Sequence, residues 1–328
     1  MPLAAWLSCM VAAFAGTWMA RVYALRARLL DAPGERRSHH VETPRGGGIA
    51  IVVVVLAGLG WIAWTSPGTR PLIACMAAGM LLVAAIGWVD DHRPLPVRLR
   101  LGVHALAGLV LAVGIGIQGG SLPMCAFAFA LALVWTNIWN FMDGIDGIAA
   151  SQAAIWGGAL ALMAPAEPLR MLGAMTAAAC VGFLPLNFPR ARIFMGDVGS
   201  GVLGFLVAAG FAWLLSSAGM AGWAAAFVLA PFGVDAALTL GTRVIRGEAW
   251  WTPHVQHLYQ RLARMHGHPA ITLAYGGWSL AGALAWRVLR RSEEIFIFTS
   301  LGAWYLLAAV IWALNRRQGP GHKNEGFS

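Results

Sequence analysis

The chain has 328 residues, of which 59% are hydrophobic and only 11% charged, with a mean hydropathy of +0.68. Soluble domains carry about 25% charged residues, so this composition lacks the polar surface of a soluble fold and points to a membrane protein. The net charge of +9 comes almost wholly from arginine, with Lys323 the single lysine. These arginines sit in loops between apolar runs, which indicates phosphate-bearing substrates and membrane lipids as partners and no nucleic acid.

A helix needs about 20 apolar residues to cross a bilayer. Eleven runs approach that length: 3–20, 47–64, 71–89, 101–117, 122–139, 148–164, 171–186, 198–216, 221–240, 270–286 and 295–314. The first lacks a basic leading segment and a cleavage signal, so it reads as a retained helix, not a removed signal peptide. Cys9, Cys75, Cys125 and Cys180 all fall inside apolar runs, without CxxC or Cys/His spacing, and imply neither disulfides nor zinc. Sixteen tryptophans suit a lipid-embedded chain rich in interfacial aromatics. No repeat and no linker interrupts the pattern. The expected fold is all-α: one polytopic integral membrane bundle over residues 1–328, with about eleven transmembrane helices.

Most of the 23 basic residues follow odd-numbered runs, which the positive-inside rule assigns to the cytoplasm, although Arg287, Arg290 and Arg291 are an exception. The same side carries the long tracts 21–46, 90–100, 140–147, 187–197 and 241–269. Connections on the other side, such as 118–121 and 217–220, are short. Motif-bearing loops on one face describe an enzyme acting on a cytosolic substrate at the membrane surface. An ion-coupled transporter using the same carboxylates is the alternative, and would place its ionisable groups near the bilayer midplane.

Within those tracts, Asp31 to Gly48 ends in Thr43-Pro44-Arg45-Gly46-Gly47-Gly48, where small residues allow close approach and the arginines suit phosphate or lipid headgroups, although each arginine by itself reads more simply as part of a basic cytoplasmic loop. Asp90-Asp91 closes the third run, a carboxylate pair able to bind a cation or accept a proton, or else a polar stop at a helix end. Asn137, Asn140, Asp143 and Asp146 fall within a dozen residues, with Gly144 and Gly147 beside the carboxylates. On a helix, Asp143 and Asp146 would share a face; the plainer reading is a pair of Asp-Gly turns. Asn187, Arg192, Phe194 and Asp197 form a fourth motif. Asp197 offers a hard oxygen ligand suited to Mg²⁺ where a helix begins, or else simply caps that helix; free backbone N–H groups there favour phosphate, and Phe194 suits stacking on a base. His254 and His257 share a helical face with Arg261 and suit a diphosphate, or are ordinary interfacial residues. Asp235 lies inside the ninth run and requires a partner in the bundle. His104, alone on an apolar helix, reads as structural.

In this order the motifs resemble the polyprenyl-phosphate N-acetylhexosamine-1-phosphate transferases of glycosyltransferase family 4, which include the phospho-N-acetylmuramoyl-pentapeptide translocase. The resemblance runs from Asp31 to about Arg264, most of the chain. It implies that a UDP-N-acetylhexosamine gives its sugar-1-phosphate to undecaprenyl phosphate at the cytoplasmic face of the bacterial inner membrane, releasing UMP. By the same resemblance Asp197 and Asn140 hold Mg²⁺ (or Mn²⁺). Asp143, Asp146, Asn187 and Phe194 belong to the metal–nucleotide pocket, with Asn137, Arg192, His254 and Arg45 as further substrate contacts. Asp90 and Asp91 serve the lipid phosphate, and His257 stands with the catalytic groups. A homodimer is left open. The chain departs from the family's denser histidine cluster, since Tyr259-Gln260 follow His257. This resembles the subgroup that initiates O-antigen and leaves the donor sugar open.

Overall fold

The computed structural model describes residues 3–31, 42–249, 252 and 254–317. Twelve α-helices lie among them: α1 (Leu3–Arg26), α2 (Ile49–Thr65), α3 (Arg70–His92), α4 (Val97–Ile117), α5 (Leu122–Phe141), α6 (Ile148–Met163), α7 (Glu167–Asn187), α8 (Asp197–Ala218), α9 (Ala226–Ile245), α10 (Leu258–His266), α11 (His268–Leu289) and α12 (Glu294–Arg317). The described residues also hold two 3₁₀ turns, at Pro67–Thr69 and Gly219–Ala225, and a two-stranded antiparallel pair of β1 (Leu30–Asp31) and β2 (Thr43–Pro44). Helices α3, α5, α7 and α11 each carry proline in the first turn, where its missing N–H is no loss.

Seven segments are long and apolar enough to cross a membrane, counting the continuous stretch through α8 and α9 as one. With α8 and α9 taken separately, and α2, α6 and α11 added, every one of the eleven apolar runs is a helix. The fold is an all-α polytopic membrane bundle. Its outer surface is apolar, with Trp64, Leu122, Leu162 and Leu306 largely exposed, as a lipid-facing surface requires. Run 171–186 proves to be a 21-residue helix that is mostly buried.

At the centre stands α8, buried at every position from Val198 to Leu215. A helix that is apolar all round belongs inside a bundle, and α8 packs against α2 to α7. Its glycines permit close crossings: a methyl on Gly204 would collide with the Trp135 and Thr136 backbone of α5, and one on Gly48 would come within 2.8 Å of the Gly199 nitrogen. Because Asp197 is the first residue of this central helix, the surrounding helix ends meet around it.

Two features differ from the sequence reading. Tract 241–269 contains α10, whose nine residues mix apolar and charged side chains and fall below the length of an apolar run. The ninth helix begins at Ala226, after a 3₁₀ turn over Gly219–Ala225.

Candidate active site

The loops at one end of the bundle are stitched together by backbone bonds. Phe194 N–H donates to the Pro44 carbonyl (2.7 Å), while Gly47 and Gly48 N–H groups donate to the carbonyls of Phe194 (3.0 Å) and Met195 (2.8 Å). Asn187 completes the weave: its amide nitrogen donates to the Ile193 carbonyl (2.9 Å) and its oxygen accepts from Gly147 N–H (2.9 Å). These bonds join tracts 42–48, 142–147 and 188–196 around a cavity of about 270 Å³, lined by carboxylates, amides and Phe194.

Seven of the expected residues line it: Arg45, Asp91, Asn140, Asp143, Asn187, Phe194 and Asp197. Asp31, Ser200 and Gln260 also face it, though none of the three stood among the expected site residues. Asn140 donates through Nδ2 to Asp197 Oδ1 (2.9 Å) and approaches the Ser200 hydroxyl (3.1 Å), which leaves its amide oxygen available. The Arg45 guanidinium donates to the Asp91 carbonyl and lies 4.0 Å from Asp31. No described group donates a hydrogen bond to the Asp143 carboxylate. Burial, then the nearby charges of Asp197, Asp91 and Asp146, raise its pKa well above the ordinary carboxylate value.

A second cavity, about 670 Å³ and mainly apolar, runs between α3, α4, α5, α8 and α9. The two cavities share Asn140 and Asp197. Arg100 sits at this junction on the wall of the apolar cavity, with Nη1 2.9 Å from Asp90 Oδ2 and 3.0 Å from Asp197 Oδ2. The sequence reading counted Arg100 only as a cytoplasmic charge; its spacing, one turn into α4, carried no signal of what it would meet.

Other expected roles change. The α8 N-terminus is not open to phosphate: Asp91 caps it, accepting from Asp197 N–H (3.0 Å) and Val198 N–H (3.2 Å). Asp90 accepts from Leu95 N–H (2.6 Å) and Arg100, and lines neither cavity. Residues 142–147 form a turn, so Asp143 and Asp146 do not share a helical face. Asp146 turns away from the cavity to Ala191 N–H (3.2 Å) and His268 (3.3 Å). Asn137 lines the apolar cavity beside His104 and donates to the Leu133 carbonyl. The Arg192 side chain is exposed and off the cavity wall; its carbonyl accepts from Arg21.

His254 and His257 precede α10 and are not on a helix, though their rings lie 4.9 Å apart. Neither lines the cavity. Burial, followed by the charges of His257 and Arg243, lowers the His254 pKa to about 4, which favours its neutral form at pH 7. His257, 2% exposed, has Nδ1 3.7 Å from Asp235. Asp235 has the partners its depth demands: Leu258 and Tyr259 N–H (2.8 and 3.0 Å), Thr239 Oγ1 (3.1 Å), Tyr275 Oη (2.8 Å) and Trp312 Nε1 (3.3 Å). It caps α10 and ties that helix to α9, α11 and α12. Residues 32–41 of the first loop motif, including Arg36, Arg37, His39 and His40, lie outside the described residues, as do Pro253 and Lys323.

The donor set suits Mg²⁺. The Asp197 and Asp143 carboxylates, the Asn140 amide oxygen and the Ser200 hydroxyl are hard oxygen ligands facing one cavity. No group of three His, Cys, Asp or Glu side chains among the described residues could by itself hold a metal ion.

The model of the family described as "Glycosyl transferase family 4" matches residues 73–215. The chain is 32% identical over 272 residues to a phospho-N-acetylmuramoyl-pentapeptide-transferase of Synechococcus sp., covering 74% of this chain and 75% of the relative. It is 29% identical over 308 residues to a decaprenyl-phosphate N-acetylglucosaminephosphotransferase of Mycolicibacterium smegmatis, covering 80% and 75%. With a probable undecaprenyl-phosphate N-acetylglucosaminyl 1-phosphate transferase of Bacillus subtilis it shares 29% identity over 199 residues, covering 56% and 55%.

Proposed function

The chain belongs to glycosyl transferase family 4, and on that premise we propose that it transfers N-acetylhexosamine-1-phosphate from a UDP-sugar to undecaprenyl phosphate and releases UMP. One observation carries the reading: a polar cavity suited to a nucleotide diphosphate and an apolar cavity suited to an isoprenoid chain meet at Asn140 and Asp197. A water-soluble donor and a lipid acceptor thus have separate approaches to one point.

Phosphoryl transfer asks mainly for positioning and charge neutralisation. The acceptor is a phosphate monoester, already an anion, so the chain must chiefly bring two anions together. Arg100 faces the apolar cavity at the junction and is the cation placed to receive the lipid phosphate. Asp197 and Asn140, with Asp143 and Ser200 beside them, are the groups that would hold Mg²⁺, a Lewis acid that neutralises the diphosphate and eases departure of UMP. Phe194 offers a face for the uracil, and Arg45 adds positive charge to the cavity lining. Asp91 contributes by capping α8, which fixes Asp197 against the junction.

We place the site at the cytoplasmic face of the bacterial inner membrane, because UDP-sugars are cytosolic and the arginine-rich loops lie at this end. The product would begin a lipid-linked envelope glycan such as O-antigen; Tyr259-Gln260 in place of a histidine cluster supports that assignment.

The test uses membranes expressing the chain with undecaprenyl phosphate, Mg²⁺ and radiolabelled UDP-GlcNAc, UDP-FucNAc or UDP-QuiNAc. Butanol-extractable label together with UMP is expected, and Asp197→Ala abolishes both while the protein still inserts. Solute flux without lipid product would favour the transporter, and full activity of Asp197→Ala would overturn the metal assignment.

A further inference from the structure

Three arginines from different helices meet at the surface of the bundle, away from both cavities. Arg246 follows the last residue of α9, Arg261 lies on α10, and Arg316 is in the last turn of α12. Arg261 donates through Nη1 to the Arg316 carbonyl (3.2 Å), and the charges of Arg246 and Arg261 bear on Arg316. The Arg316 guanidinium sits over the Trp312 ring, 4.7 Å from its centroid. The carboxylates that act on Arg316 are already engaged, Asp235 by the donors described above and Glu248 by Arg243 (2.8 Å) and Gln256 (3.0 Å). Among the described residues none of the three arginines forms an ion pair. Like charges held together repel one another until an anion joins them.

The same Trp312 lines a crevice of about 160 Å³ between α9, α10, α11 and α12, walled mainly by apolar side chains such as Pro231, Trp278 and Ala308. It shares no lining residue with the polar or the apolar cavity. The Asp235 carboxylate and the Tyr275 hydroxyl in its wall are bonded to each other (2.8 Å). Leu258 and Leu262 of α10 line the crevice while Arg261 and Arg264 do not, a division typical of a helix lying in the membrane interface. Ile245, next to Arg246, and Leu314 are exposed, so lipid reaches this part of the surface.

We infer that this is a binding site for an anionic phospholipid, its phosphate held by Arg246, Arg261 and Arg316 and part of one acyl chain seated in the crevice. Arginine matches phosphate oxygens with its fork and also stacks on aromatic faces, which is how Trp312 orients Arg316. Basic pockets between membrane helices take lipid headgroups in this way. Free phosphate would meet the same arginines but has nothing to fill the crevice. A zwitterionic lipid would fill the crevice but brings its own cation to the cluster. The acceptor of the proposed transfer is also a lipid phosphate, but the cavity assigned to it is the separate one at Arg100. Because α9, α10 and α12 all contribute to the site, occupancy braces them against one another and raises stability.

The experiment measures melting temperatures of the full-length protein in detergent with added phosphatidylglycerol, phosphatidylcholine or inorganic phosphate. Phosphatidylglycerol should raise the wild-type value by about 5 °C at saturation, and the other two should do little. Substituting Arg246→Gln, Arg261→Gln and Arg316→Gln together should abolish the rise. Ala308→Leu, which fills the crevice and leaves the charges in place, should reduce it. A control carrying Arg26→Gln, Arg93→Gln and Arg98→Gln removes as many exposed arginines elsewhere and should keep it. No rise in the wild type, or an equal rise with phosphatidylcholine or with inorganic phosphate, overturns the proposal, as does an equal loss in the control. If the triple variant fails to fold, Arg316→Gln and Ala308→Leu decide the matter, and a full wild-type rise in both sinks the site.

Discussion

Arg100 and Asp143 carry opposite electrostatic problems, and each yields a measurement. Arg100 bridges Asp90 and Asp197 at the junction of the cavities. Hydrogen bonds to charged groups contribute about 1.5–3 kcal/mol, so Arg100→Met should raise the KM for undecaprenyl phosphate by roughly tenfold or more and leave the UDP-sugar KM nearly unchanged. Steady-state kinetics with each substrate varied in turn checks this; an effect on the donor KM alone would contradict it. Asp143, by contrast, is held toward its neutral form by burial and by like charges. A carboxyl whose folded pKa is raised favours the folded state below its unfolded pKa and loses that advantage as pH rises through the folded value. Without divalent cations, the melting temperature of the wild type should therefore fall relative to Asp143→Asn as pH increases. Parallel pH curves for the two proteins would argue against the assignment.

At the scale of elements, two carboxylates act as caps for helices distant in sequence, and neither role is visible from its neighbours. Asp91 closes the N-terminus of α8, 106 residues further on. Asp235 closes that of α10 and gathers donors from α9, α11 and α12. Removing a buried charge from such a network costs about 3–5 kcal/mol. Asp235→Ala should lower the melting temperature and expose the chain just before α10 to limited proteolysis. A variant as protease-resistant as wild type would show that the α10 start is held by something else. The crossing of α2 over α8 is a second weak point. Any side chain at Gly48 must push the Gly199 backbone away, so Gly48→Val should reduce stability more than Gly60→Val, which meets open space.

For the molecule as a whole, the polar tracts converge at one end of the bundle, and the connections opposite them are short. With the four native cysteines replaced, a cysteine at Pro94 or at Arg190 should react with impermeant maleimide from the same side of the membrane. One at Gly119 or Ser292 should react only from the other. Labelling of Pro94→Cys and Arg190→Cys from opposite sides would dismantle the shared cavity.

Much of this was legible without coordinates, and the reason is the solvent. A bilayer demands long apolar runs with satisfied backbones, so the eleven apolar helices, their order and the loops between them follow from hydropathy, while the short α10 does not. Asp197, Asn140 and Asp143 were legible for the same reason, since polar groups beside apolar runs are costly and need a purpose. What only the tertiary structure decided was the direction of each side chain. Asp143 and Asp146 differ by three positions, yet the turn sends one to the cavity and the other to His268. Arg100 looked like an ordinary loop residue, and Gln260 only like a departure from a histidine cluster, until packing set one on Asp197 and the other above Gly144. Hydropathy acts residue by residue along the chain, whereas hydrogen bonds have direction and join positions far apart; the first can be read from a sequence, and the second requires the fold.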